Sequence, residues 1–292
     1  MKRLLISCLL TFLIAEAYSQ DVSQRTLIRF TSNYTSFPDS ARAHGHMYDS
    51  VEYSTSDHYS DNSVILIVPR PLQKQNKVDL VFWFHGWHNN IDTALRFYEI
   101  ERQFLESNRN AVLVLAETAK NAPDSYGGKL EQQGDFKLLV NDIVNKLKDQ
   151  KIIKQKTTPG NITLAGHSGA YRVIAHILVN GELPVSEVFL FDALYGQTDK
   201  FLSWIQENKN HRFVNLYTNQ GGGTDEVSIS TMQQMDSLHI PYKLVEESLI
   251  SPGVIQSNRI LFVHSTREHN VIINRPDNLK LLLISKNNEV GK

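Results

Sequence analysis

The sequence predicts an α/β protein built on a mainly parallel sheet with helices on both faces. Short apolar runs recur at residues 26–30, 63–68, 78–84, 111–116, 162–165, 188–191, 212–218, 242–245 and 259–263, with the length and branched or aromatic content of buried strands. From residue 91 onward, segments with helical spacing alternate with these runs, which is the order that generates parallel strands. With 41% hydrophobic and 21% charged residues over 292 positions, the chain is long and apolar enough to bury a large core. In such sheets, ligands bind beyond the carboxyl ends of the strands, so the loops leaving those ends are where chemistry is expected.

Residues 1–19 begin with Lys2 and Arg3, run through an apolar stretch and end in small or polar residues. This is the pattern of a signal peptide, too short and wrongly flanked for a stable membrane span, with cleavage expected after Ala17 or Ser19. The expected mature chain is one domain over residues 20–292, secreted or periplasmic, with residues 20–62 a polar extension that includes the first strand. Cys8 is the only cysteine, and most of the apolar run follows it, which argues against a lipid anchor there. A mature chain without Cys8 has no disulfide, no thiol nucleophile and no cysteine metal ligand. The formal net charge is −1 and the charges are scattered, so no nucleic-acid surface is expected. His44, His46 and His58 alternate with acidic residues but match no ordered metal-ligand spacing, and they are read as part of a polar loop.

The run at 78–84 ends in His85-Gly86-Trp87-His88-Asn89-Asn90, where a glycine straight after a strand lets backbone amides turn toward the sheet edge. Apolar positions from Ile91 to Leu105 predict one helix, capped by Asn90 or Asp92. Residues 117–135 contain Pro123, Gly127 and Gly128 and predict a loop that either walls the ligand edge or is simply solvated. Further helices are expected at 136–148, 171–180, 200–208, 227–238 and, with Pro276 in its first turn, 276–284.

Residues 161–170 read NITLAGHSGA. A strand, a tight Gly-His-Ser-Gly-Ala turn and a helix is the context of a nucleophile elbow, in which small residues two before and two after the serine let it project from a strained turn. A serine hydroxyl attacks only when an imidazole takes its proton and a carboxylate orients that imidazole. His269, a few residues past the last strand, is the first choice of base; His264, at the strand's end, is the alternative. Asp192 is the first choice of acid because it ends its strand, so the sheet fixes its position; Asp225, the alternative, follows the next strand in a Gly-rich loop and also reads as a helix cap.

The elbow, the His-Gly turn and the order Ser, Asp, His together resemble the α/β-hydrolase family from about residue 63 to the C-terminus. The resemblance implies that Ser168 is the nucleophile, His269 the base, and Asp192 or Asp225 the acid. It also implies an oxyanion hole from the amides of Gly169 and of Gly86 or Trp87. Only one helix fits between Asp192 and Arg212, so no large cap domain is expected over the cleft. His88, Asn89 and Tyr126 are expected to contact substrate. The implied activity is hydrolysis of a polar or bulky carboxylic ester, small or polymer-borne, without metal or cofactor. A silent scaffold that only binds, and a serine peptidase, are the alternatives.

Overall fold

In a computed structural model of the chain, residues 25–73, 75–220 and 223–284 are described. The signal peptide expected at 1–19, with Cys8, lies outside them. In chain order the strands are β1 (Arg25–Thr31), β2 (His46–Tyr48), β3 (Val51–Tyr53), β4 (Ser63–Pro69), β5 (Lys77–Phe84), β6 (Val112–Ala116), β7 (Thr158–His167), β8 (Val185–Phe191), β9 (Arg212–Thr218), β10 (Lys243–Glu246) and β11 (Ile260–Ser265). Every predicted apolar run became a strand of one nine-stranded sheet, ordered β1-β4-β6-β5-β7-β8-β9-β11-β10. β4 pairs antiparallel with β1 and β6, and all other neighbours are parallel.

The helices are α1 (Ile91–Phe97), α2 (Ile100–Glu106), α3 (Asp135–Asp149), α4 (Tyr171–Asn180), α5 (Thr198–Glu207), α6 (Asp225–Ser237), α7 (Pro252–Ser257) and α8 (Asn278–Leu283). Because strand side chains alternate in direction, a run buried on both faces feeds two cores. Leu80, Phe82 and Phe84 of β5 pack with α3, α4, α5 and α6 on one face. Val81 and Trp83 pack on the other face with α1, α2, α7 and α8. As expected, α5 is the only helix between Asp192 and Arg212.

Three segments differ from the sequence reading. The single helix expected from residue 91 is broken at Glu99, whose φ is 52°. Two side chains satisfy the carbonyls this break frees: Asn274 Nδ2, distant in sequence, donates to Phe97 O at 3.0 Å, and Gln103 Nε2, in the next helix, donates to Tyr98 O at 2.8 Å. The polar N-terminal extension contains a hairpin of β2 and β3 and a helical turn at Thr55–His58. It also buries Phe37 and Tyr59 against Ala119 and Ala122. The loop after β6 is therefore packed as a wall rather than solvated. Arg42 Nε donates to Asp124 at 2.7 Å, His58 Nδ1 to the Lys120 carbonyl at 2.7 Å, and Arg172 to Glu131 at 2.7 and 2.9 Å. Finally, α8 starts at Asn278, which leaves Pro276 ahead of its first turn.

The lower end of the sheet is tied by Glu187 of β8, which accepts from Arg109 at 2.8 Å, Arg212 at 2.9 Å and Thr163 Oγ1 at 2.8 Å. Burial alone would raise this carboxyl, but the two guanidinium charges and the hydrogen bonds outweigh it and hold it below the usual range. A depressed folded-state value gives stability that is complete above the unfolded value of about 4.3 and is lost as pH falls through the folded value. Glu187→Gln is expected to lower stability at pH 7 by about 1.5–3 kcal/mol. It should also flatten the acid limb of the urea-midpoint profile below about pH 4.3.

Candidate active site

β7 runs through His167 into Ser168, whose φ is 54°, and a short turn at Ser168–Ala170 leads into α4. A non-glycine residue in this region is strained and persists only when its surroundings over-determine it. The surroundings here leave no slack. A Cβ on Gly166 would lie 2.7 Å from both Ala170 Cβ and Ile174 Cδ1. Ser168 alone of residues 166–170 is not fully buried, so the turn presents its hydroxyl.

The loop after β5 crosses directly over this serine. A Cβ on Gly86 would stand 2.6 Å from Ser168 Cβ and 3.2 Å from its Oγ, and one on Gly169 would stand 2.5 Å from Trp87 Cδ1. The indole of Trp87 thus lies across the elbow, held by its Nε1–H donating to Ser125 Oγ at 2.8 Å. His85, behind this loop, donates from Nδ1 to the Gly86 carbonyl at 2.7 Å, and its Nε2 meets Glu117 Oε1 at 2.7 Å. A planar trans peptide whose carbonyl is pinned on one side directs its N–H to the other, so this bond fixes where the Trp87 amide points.

Asp192 directly follows β8 with φ 45° and is fully buried. Its Oδ2 accepts from His269 Nδ1 at 2.5 Å. Its Oδ1 accepts from Thr224 Oγ1 at 2.7 Å, Thr224 N–H at 3.1 Å and Thr218 N–H at 3.3 Å. With Nδ1 donating, Nε2 of His269 is the nitrogen left to accept a proton. Tyr195 links this pair to the serine: its phenol is hydrogen-bonded by Ser168, and its ring lies 6.5 Å from that of His269. Burial, and then the Asp192 charge, push this phenol up to about 12, partly offset by the Ser168 bond.

The alternatives weighed from sequence serve elsewhere. Asp225 stands in the first turn of α6, where a carboxylate favours the helix dipole, and the residue before it, Thr224, is the one that bonds Asp192. His264 Nδ1 pairs with Glu246 at 2.9 Å on the edge of the sheet. Of the expected substrate contacts, His88, Asn89 and Tyr126, none is among the residues that line the cleft at Ser168. His88 donates its N–H to Ala122 O, and buried Asn89 accepts from the Asn90 N–H at 2.8 Å. Tyr126 donates to Asp39 and is flanked by the guanidinium groups of Arg42 and Arg172. The cleft, about 320 Å³, is lined instead by Trp87, Ser125, Ser168, Gly169, Tyr171 and Tyr195. Position offered a signal for the two tyrosines: Tyr171 opens the helix after the elbow, and Tyr195 follows Asp192 by one turn of chain.

The sequence matches no family model and no curated protein. The fold, however, is that of the α/β-hydrolases. Among solved structures, the chain is similar to a mutant of the feruloyl esterase module from Clostridium thermocellum, complexed with sinapinate. The identity is 9%, covering 89% of this chain and 88% of that one, at a TM-score of 0.52. A ferulic acid esterase is similar at 8% identity, over 90% of this chain and 99% of that one, with a TM-score of 0.53.

The contact of Gly86 with Ser168 gives a direct test of this packing. Gly86→Ala is expected to cost about 1–3 kcal/mol in thermal or urea denaturation by overpacking. Gly253→Ala is the control, since a Cβ there meets nothing closer than 4.0 Å, and it should leave stability near or above the wild-type value.

Proposed function

We propose that the protein is a serine-dependent carboxylic-ester hydrolase, with Ser168 as nucleophile, His269 as base and Asp192 as acid. The observation that carries this reading is the 2.5 Å contact between His269 Nδ1 and buried Asp192, beside a serine held in a strained elbow. His269 Nε2 takes the Ser168 proton as Oγ bonds to the ester carbonyl carbon. The resulting oxyanion is held by the amides of Gly169 and Trp87, each such donor being worth about 2.7–4 kcal/mol. Collapse breaks the bond to the alcohol, which leaves with the proton from His269. Water, deprotonated by the same nitrogen, then releases the acid and restores Ser168. One imidazole carries every proton in this cycle, so it requires no cofactor.

The cleft walls support a bulky, uncharged ester that carries an aromatic ring. Three of the six lining residues are Trp or Tyr, and none is charged. Flat rings gain edge or stacking contacts there, while a sugar would bring more hydroxyls than Ser125 and the two phenols are placed to bond. The names of the two neighbouring structures, both esterases of aromatic acids, point the same way. Export by the leader at residues 1–19 belongs to the same proposal. No helix among the described residues is long and apolar enough to cross a membrane.

A fluorophosphonate probe should label the wild-type protein and fail to label Ser168→Ala; an unlabelled, folded wild type overturns the assignment. Asp192→Asn should lower kcat by about 10³- to 10⁴-fold, whereas Asp225→Asn should leave it near wild type. For substrate class, methyl 3-phenylpropanoate should be hydrolysed with a kcat/KM about tenfold above that of methyl 3-cyclohexylpropanoate, which matches it in size and intrinsic reactivity. Equal rates would remove the aromatic preference while leaving the esterase reading in place.

A further inference from the structure

His167, between Gly166 and Ser168, is a buried histidine outside the proton-transfer scheme given above. We infer that His167 is a positioning residue: from within the elbow it clamps the segment that carries His269, and so fixes the nucleophile and the base relative to one another. The inference rests on the roles proposed above for Ser168 and His269.

His269 stands in a stretch between β11 and α8 that has turns but no helix or strand around it. Such a segment holds a side chain in place only through specific bonds. Asp192 holds the ring at Nδ1. The main chain of the same residue is held by His167, whose Nε2 lies 3.0 Å from the His269 carbonyl. A carbonyl only accepts, so Nε2 bears the hydrogen. Nδ1 of His167 is then bare and faces the Tyr98 hydroxyl at 3.2 Å, whose one hydrogen is shared between that nitrogen and Asn270 Oδ1 at 3.3 Å. Tyr98 therefore touches both His167 and the residue after the base.

The two imidazoles also lie against each other, with ring centroids 4.3 Å apart and planes inclined by 35°. Burial first, and the neighbouring His269 next, lower the affinity of His167 for a second proton to a value of about 3. The ring of His167 is therefore neutral, and it supports the base without placing a like charge beside it. Ser168 follows His167 directly in the chain. One side chain and one hydrogen bond thus span the gap between nucleophile and base, and a displacement of about 1 Å at such a place costs about 100-fold in rate.

The test compares His167→Gln with His167→Asn. The amide nitrogen of glutamine reaches about as far as Nε2, whereas that of asparagine ends near the position of Nδ1, short of the His269 carbonyl. With a short acyl ester, the glutamine variant is expected to retain kcat within about threefold of wild type and the asparagine variant to lose about 10- to 100-fold, both with little change in KM. Equal kcat in the two variants, or a loss expressed in KM, overturns the inference in an otherwise active enzyme. A wild type inactive on every ester would overturn the esterase proposal and this inference together. Should neither His167 variant fold, Tyr98→Phe decides: a lowered kcat at unchanged KM supports the clamp, and an unchanged kcat overturns it.

Discussion

Close packing around one backbone turn governs the candidate site. Ser168 adopts a positive φ, and the space that would normally relax such a residue is filled by its own neighbours. The missing side chains at Gly166, Gly86 and Gly169 are each replaced by a specific contact: the start of α4, the serine itself and the Trp87 indole. The elbow, the loop after β5 and the first helical turn after the serine thus behave as one packed unit. Packing of this kind leaves the Ser168 backbone little room to relax.

The polar groups follow the same logic in a different form. Asp192 is fully buried, which would be costly for a carboxylate without partners, but its two oxygens receive bonds from His269, Thr218 and Thr224. Thr218 also donates from its hydroxyl to the Arg267 carbonyl at 2.7 Å, which ties the loop carrying His269 to the end of β9. His85 and Glu117 form a second buried pair behind the Gly86 peptide. Around the serine, then, ionisable side chains outside the chemistry orient backbone groups, and those backbone groups in turn define the cleft.

The N-terminal segment has a structural task in this arrangement. Phe37 and Tyr59 cover the loop after β6, Arg42 anchors Asp124, and the exposed edge of the β2–β3 hairpin brings Tyr48 within 5.2 Å of the Trp87 ring. Ser125, the residue that fixes the indole, lies between these anchors. A segment that reads as a polar extension therefore shapes one side of the cleft, although it contributes no residue to the cleft's lining among the described residues.

The sequence by itself determined the sheet, the strained turn at the serine and the class of fold. Strand burial on both faces, strand-helix alternation and small residues flanking a serine are local requirements, and they leave their mark within a few adjacent positions. The His269–Asp192 pair was legible for a related reason, since Asp192 directly follows one strand and His269 stands a few residues beyond another. Tertiary structure alone decided which residues touch. That Asp192 rather than Asp225 meets His269, that His88, Asn89 and Tyr126 fasten loops while Tyr171 and Tyr195 line the cleft, and that His167 reaches the main chain of a residue 102 positions later, all depend on contacts between segments distant in sequence. Such contacts arise from the way loops fold back over the sheet edge, and no periodicity in the chain encodes them.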